Sequence, residues 1–107
     1  MNPDLLRGNL DLILLSILEH QPLYGFAIIQ EARERTDGYF QFKEGSLYPA
    51  LHRLEQDGLL AAQMGEVGRN GKPRKYYAVT DAGRQTLTAK RAEFAGFTGA
   101  VGRLGGS

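Results

Sequence analysis

The sequence predicts a mainly α-helical fold with a small β hairpin, an α+β domain closed by a long C-terminal helix. Three observations carry this expectation. Three stretches with helical apolar spacing precede residue 58, an Asn-Gly hairpin with a cationic tip follows, and sevenfold apolar spacing dominates the C-terminal quarter. At 107 residues the chain is long enough for one compact body and too short for two. We divide it into a body, residues 1–80, and a C-terminal helix with its tail, residues 81–107.

The elements follow in order. Leu10, Ile13, Leu14, Ile17 and Leu18 recur at i, i+3, i+4, i+7 and i+8, the spacing of a helix buried along one face. Leu5, Leu6, Leu12 and Leu15 add apolar groups elsewhere on it, so burial on more than one side is expected. Pro22 drives Gln21 out of the helical region and ends this helix near His20. A second helix is expected from about Tyr24 to Thr36, with Phe26, Ile29 and Ala32 facing the core, until Asp37-Gly38 stops it. Tyr39-Phe40-Gln41-Phe42 alternates aromatic and polar groups and predicts a short strand.

Leu47, Ala50, Leu51 and Leu54 then form the clearest helical stripe, ended by Gly58. Pro49 is tolerated only near a first turn, which sets the start near Gly45 or Ser46. Leu59–Val67 and Arg74–Val79 read as two strands joined by a turn around Asn70-Gly71. Thr80 suits a helix N-cap and Asp81 a first-turn acid. The last helix carries Leu87, Phe94 and Val101 at sevenfold spacing, with Phe97 and Leu104 completing a seam of the kind that pairs helices. Gly96, Gly99 and Gly102 in the same helix each cost up to ~1 kcal/mol relative to alanine. That leaves two readings, a frayed end or an unusually close helix approach.

Composition narrows the function classes. Apolar residues at 42% against 23% charged exclude a wholly disordered chain. The absence of cysteine excludes disulfides, thiolate catalysis and cysteine-held zinc. No basic segment leads into a cleavable apolar stretch, and Leu10–Leu18, interrupted by Asp11 and Ser16, is too short to span a bilayer. A cytoplasmic location is expected. His20 and His52 have no acid cluster at a metal-ligand spacing, so no metal or other cofactor is expected. Ser16 and Ser46 lack a base partner and an oxyanion-hole motif, so no catalytic residue is assigned and an enzyme is the weakest reading.

The net charge of +1 conceals a local asymmetry. Between Val67 and Tyr77 stand Arg69, Lys72, Arg74 and Lys75 with no acid among them. Helices followed by a basic hairpin are the parts of a winged helix-turn-helix, in which one helix enters the major groove and the hairpin flanks it. With the apolar stripe of the third helix turned inward, Ser46, Tyr48, Pro49, His52, Arg53 and Gln56 occupy its other faces. Arg53 is expected to reach guanine, while Ser46 and Tyr48 lie where a helix start meets phosphate. In the wing, Arg69, Lys72, Arg74 and Lys75 supply attraction to phosphate that is blind to sequence.

The residues themselves also resemble a known family. The run from Glu44 through Leu59, Glu-Gly-Ser-Leu-Tyr-Pro-Ala-Leu-His-Arg-Leu-Glu-Gln-Asp-Gly-Leu, closely resembles the recognition-helix signature of PadR-type transcription regulators. Leu23-Tyr24-Gly25, Gly71-Lys72-Pro73-Arg74-Lys75-Tyr76-Tyr77 and Thr80-Asp81-Ala82-Gly83 are similar to further motifs of that family, in its order. The resemblance implies a homodimeric regulator, usually a repressor, that binds palindromic promoter DNA and is released by a small molecule. It adds Tyr24 and Gly25, at the start of the second helix, and Asn70, in the wing, to the expected DNA-binding set. It also implies a short-form protein whose single C-terminal helix packs on the partner's N-terminal helix. Leu5, Leu6, Leu87, Phe94, Phe97 and Val101 are the expected dimer residues. In some members a flat aromatic ligand sits between the subunits. Multidrug-binding relatives present a tryptophan on the last helix; this chain has none, and Phe94 stands at the matching position. The alternative function is a winged-helix module for protein–protein contact without DNA affinity.

Overall fold

The computed structural model describes residues 3–105. In chain order it contains α1 (Pro3–Gly8), α2 (Leu10–Leu18), β1 (Leu23–Tyr24), α3 (Gly25–Arg35), α4 (Glu44–Gln56), β2 (Leu60–Val67), β3 (Pro73–Val79) and α5 (Asp81–Leu104). The three strands form one antiparallel sheet in the order β1-β3-β2.

The single N-terminal helix expected from periodicity is broken in two. At Asn9 the backbone leaves the helix, and the Asn9 side-chain amide donates to the carbonyl of Leu5, closing the end of α1. The core of α2 is Leu14, Leu15, Ile17 and Leu18, whereas Leu10 and Ile13 are only partly covered. Burial therefore spans two adjacent sides, because α2 meets α3, α4, β3 and α5 at once.

In α3 the inward groups are Gly25, Ile28 and Ala32; Ala32 is buried as expected, and Ile29 is partly buried against the core. Phe26, expected in the core, is 53% exposed at the start of the helix. The helix ends at Asp37-Gly38 as its chemistry predicts, both residues having left-handed backbone.

Residues 39–42 do not form a strand. The Phe40 amide donates to the Thr36 hydroxyl, and the Gln41 side chain donates to the Gly38 carbonyl. Local side-chain bonds thus take backbone groups that a ladder would need. Phe42 is nevertheless buried and anchors this loop to the core. The third strand is instead the two-residue β1, where Leu23 and Tyr24 pair with Tyr77 and Tyr76.

The stripe of α4 meets its expectation: Leu47, Ala50, Leu51 and Leu54 are all buried. The helix begins at Glu44, however, so Pro49 falls in its second turn rather than its first. Thr80 caps α5 by accepting from the Gly83 amide at 3.0 Å. Helix α5 runs without interruption through Gly96, Gly99 and Gly102 to Leu104. Its first turns pack on the core through Gly83 and Leu87, and every residue from Arg91 to Gly105 is exposed. The radius of gyration, 15.2 Å, exceeds the roughly 13 Å of a compact chain of this length, because this helix projects beyond the body. Two contacts fix its root. Arg91 grips Glu19 with both terminal nitrogens, at 2.8 and 2.9 Å, and Arg84 donates to the Glu19 carbonyl.

Candidate nucleic-acid interface

The buried stripe of α4 dictates what its other sides present. With 3.6 residues per turn, the side opposite Leu47, Ala50, Leu51 and Leu54 carries Gly45, Pro49, His52 and Gln56, spaced i, i+4, i+7 and i+11. All four are exposed. Pro49 has no N–H to give to the Gly45 carbonyl, so that carbonyl loses its α-helical donor on this same outer stripe. A Cβ on Gly45 would meet nothing within 4 Å, so the stripe faces open space. Gly45 is the member that the sequence does not mark, since a glycine there signals only a helix start.

Arg53 does not lie on that stripe. It stands on the flank toward α2, where its two terminal nitrogens donate to Asp11, at 2.6 Å to Oδ1 and 3.1 Å to Oδ2. The Arg53 hydrogen bonds hold the Asp11 carboxyl below the usual carboxylate range, and the same bonds raise Arg53 further. Here the guanidinium expected to reach guanine is held by Asp11, with its side chain 49% exposed. Ser46, seven residues earlier, shares this flank and is exposed near the start of the helix.

The opposite flank of α4 faces the sheet. The Tyr48 ring covers Gly25, and a Cβ on Gly25 would lie 2.7 Å from Tyr48 Cε1. Only glycine admits this contact, which explains why a glycine opens α3. Burial, and then the charge of Glu44, push the Tyr48 phenol above its ordinary value, so it stays a neutral donor. Glu55 pairs with Lys75 at 3.1 Å, tying α4 to β3. Lys75, expected to attract phosphate from the wing, has its ammonium held by Glu55 and lying 5.3 Å from the Tyr77 ring centre.

The wing turn is closed by the Gly68 amide donating to the Lys72 carbonyl and by the Gly71 amide donating to Gly68. Gly71 has φ +76°, which this turn requires and which other residues rarely adopt. The Asn70 side-chain oxygen accepts from the Lys72 amide at 3.0 Å, so that oxygen shapes the turn. Arg74 lies over the Tyr24 ring, 4.3 Å from its centre, and Tyr24 meets Tyr76 edge-on at 5.4 Å. Tyr77 is the inward member of the tyrosine pair. Arg69 and Lys72 make no side-chain hydrogen bond or ion pair among the described residues.

Between Tyr48, the start of α3 and the wing runs an open groove of about 700 Å³, with Tyr24, Gly25, Arg69, Lys72 and Arg74 among its walls. Phe26 also lines it, which explains the exposure of that ring. The groove unites the start of α3, Tyr48 and the wing, and leaves Arg53 outside.

A second region lies on the other side of the molecule. Leu5, Phe94, Phe97, Val101 and Leu104 are 54%, 43%, 67%, 50% and 88% exposed. Leu6 is half-buried beside them. Leu87, expected in this seam, is 2% exposed and belongs to the protomer's own core. Two clefts flank the seam. An apolar one of about 460 Å³ is lined by Leu5, Leu6, Leu12, Ile13, Phe40 and Phe94. One of about 500 Å³ is lined by Asp11, Arg53, Lys90, Phe94 and Phe97. Among the described residues there is no cluster able to hold a metal ion, and no helix is long and apolar enough to cross a membrane.

Comparison with known proteins agrees with this geometry. Residues 14–89 match the profile of the transcriptional regulator PadR-like family. The transcriptional regulator Rv3488 of Mycobacterium tuberculosis is 41% identical over 80 residues, covering 72% of this chain and 70% of that one. A solved transcriptional regulator from Clostridium thermocellum superposes with a TM-score of 0.84 at 33% identity, covering 94% of this chain and 96% of the other. A PadR family regulator from Eggerthella lenta superposes with a TM-score of 0.83 at 35% identity, over 97% and 88% of the two chains. Proteins of this kind are DNA-binding regulators of transcription, not enzymes. The chain belongs to the PadR-like family of transcriptional regulators.

Proposed function

We propose that this regulator is a repressor that binds a palindromic promoter site as a homodimer and leaves it when a small aromatic effector binds. One observation carries the DNA-binding reading. Tyr48 of α4, the start of α3 and the cationic wing line a single open groove, beside the exposed outer stripe of α4, with Arg69 and Lys72 in no ion pair among the described residues. Gly45, Tyr48, Pro49, His52 and Gln56 meet the base edges and adjoining backbone. His52 and Gln56 have the donor and acceptor groups that base readout uses. Tyr24 brings the start of α3 to the backbone, with Gly25 seating the Tyr48 ring behind it, and Arg69, Lys72 and Arg74 attract phosphate. Ser46 contacts phosphate at the edge of the same face.

Homodimerisation is supported by the α5 seam. A helical run from Arg91 to Leu104 with every residue exposed is unstable alone, since isolated helices of this length are marginal in water. A second copy covering Leu5, Leu6, Phe94, Phe97 and Val101 supplies the missing burial. In this reading residues 1–80 bind DNA and residues 81–107 join the protomers. The cleft of about 460 Å³ beside Phe94 has the size and apolar lining of a small-ligand site. A ligand there acts by favouring one spacing of the two α4 helices over another.

A gel-shift titration against the duplex upstream of this protein's own gene tests the reading, with a scrambled competitor and two salt concentrations. A discrete shift that survives the competitor is expected. Loss of the shift to scrambled DNA contradicts sequence-specific binding. No shift at low salt contradicts DNA binding altogether and favours a protein-interaction module.

A further inference from the structure

We infer that Arg53 is a positioning residue, and that its ion pair with Asp11 sets the angle of α4 and links it to the α5 seam. The inference rests on the DNA-binding reading above and deepens it. Helix α4 is pinned near its C-terminal end on two opposite flanks. On one, Glu55 holds Lys75 of β3 at 3.1 Å; on the other, Arg53 holds Asp11 of α2 through two hydrogen bonds. The outer stripe ending in His52 and Gln56 lies between these two anchors. Rotation of α4 about its axis lengthens one anchor as it compresses the other, so together they fix which side chains face outward.

The Asp11 anchor is the one that lies on the cleft bordering the seam. Asp11 and Arg53 line the same cleft as Lys90, Phe94 and Phe97 of α5, and Lys90 adds its charge to the field that keeps Asp11 ionised. A bidentate guanidinium–carboxylate pair fixes orientation as well as distance, which a single lysine contact does not. A shift of α5 across this cleft therefore reaches the reading helix through one charged joint.

The test separates positioning from direct base contact. A duplex is first selected from a randomised pool by the wild-type protein. Its binding, and binding to a scrambled duplex at low salt, are then measured for Asp11→Asn, Arg53→Gln and the exchanged pair Asp11→Arg/Arg53→Asp. Thermal melting reports on folding. Arg53→Lys, which keeps the charge but not the fork, is the substitute where a neutral variant fails to fold.

Both single variants should lose about tenfold in affinity for the selected duplex, the size of an ordinary coupling between paired groups. Binding to the scrambled duplex should be unchanged, and the exchanged pair should recover most of the loss. Loss in Arg53→Gln with none in Asp11→Asn would overturn the inference and make Arg53 a base contact. Full selected-site affinity in both single variants would overturn it as well. Failure of the wild type to select any duplex would instead remove the DNA-binding reading, and the inference with it.

Discussion

Gly25 shows how one residue type answers a contact that its neighbours in sequence do not reveal. Its Cα lies under the Tyr48 ring, so any side chain meets the ring of a residue on another helix. Gly25→Ala should lower stability by about 1–3 kcal/mol, the usual cost of overpacking. A thermal melt measures it, and Tyr48→Ala added to the same chain should return most of the loss. An unchanged melting temperature for Gly25→Ala would contradict the packing. Asp11 yields a second prediction at this scale. Its carboxyl titrates below the ordinary value because Arg53 donates to it. The stabilisation is therefore fully present above the unfolded value of about 4 and is lost as the pH falls through the lower folded value. Acid should destabilise the wild type more steeply below about pH 4 than Asp11→Asn, as followed by circular dichroism; equal slopes would contradict the linkage. Neither contact was legible in the sequence, since Asp11 and Arg53 are 42 residues apart and no local pattern joins them. What was legible was the outward position of Pro49, His52 and Gln56 on α4, because the stripe from Leu47 to Leu54 fixes the opposite side by geometry alone.

At the scale of elements, local chemistry succeeded where it acts without tertiary partners. The Asn70-Gly71 turn, the Thr80 cap and the Asp37-Gly38 stop all behave as their side chains require. Residues 39–42 failed because alternation signals burial on one side without supplying a pairing partner. Phe42 is indeed buried, but the free edge of β3 is taken by Leu23 and Tyr24. A two-residue strand is too short for any periodic signal. In α3 the exception is Phe26, which lies in the groove beside the wing, so an aromatic expected in the core is exposed while Ala32 is buried as expected. The wing carries the prediction at this scale. Arg69→Ala/Lys72→Ala should weaken binding to every duplex and flatten the dependence of log K on log salt by about 1.8 for each protomer, at 0.9 per phosphate contact. Lys75→Ala should flatten it less, because Glu55 already holds that ammonium. A salt slope unchanged by the double substitution would contradict the wing assignment.

For the whole molecule, the projecting α5 sets the argument. Four large apolar side chains from Phe94 to Leu104 stand in solvent on a helix that the protomer covers only at its root. Sevenfold spacing made that seam readable in the sequence, but not the division between Leu87, which the protomer buries itself, and the residues beyond it. Phe97→Glu/Val101→Glu should convert a dimer to a monomer in sedimentation equilibrium, with little change in the fold of residues 1–80. Specific DNA affinity should fall by far more than nonspecific affinity, because only pairing sets the distance between two reading helices. An unchanged sedimented mass would contradict the seam.

Hydroxyl-radical footprinting of the wild-type protein on a duplex that it has selected tests the account most directly. Two symmetric protected patches about one helical turn apart, each flanked by weaker protection from a wing, are predicted. A single unsymmetric patch, or protection no different from that on scrambled DNA, would contradict it.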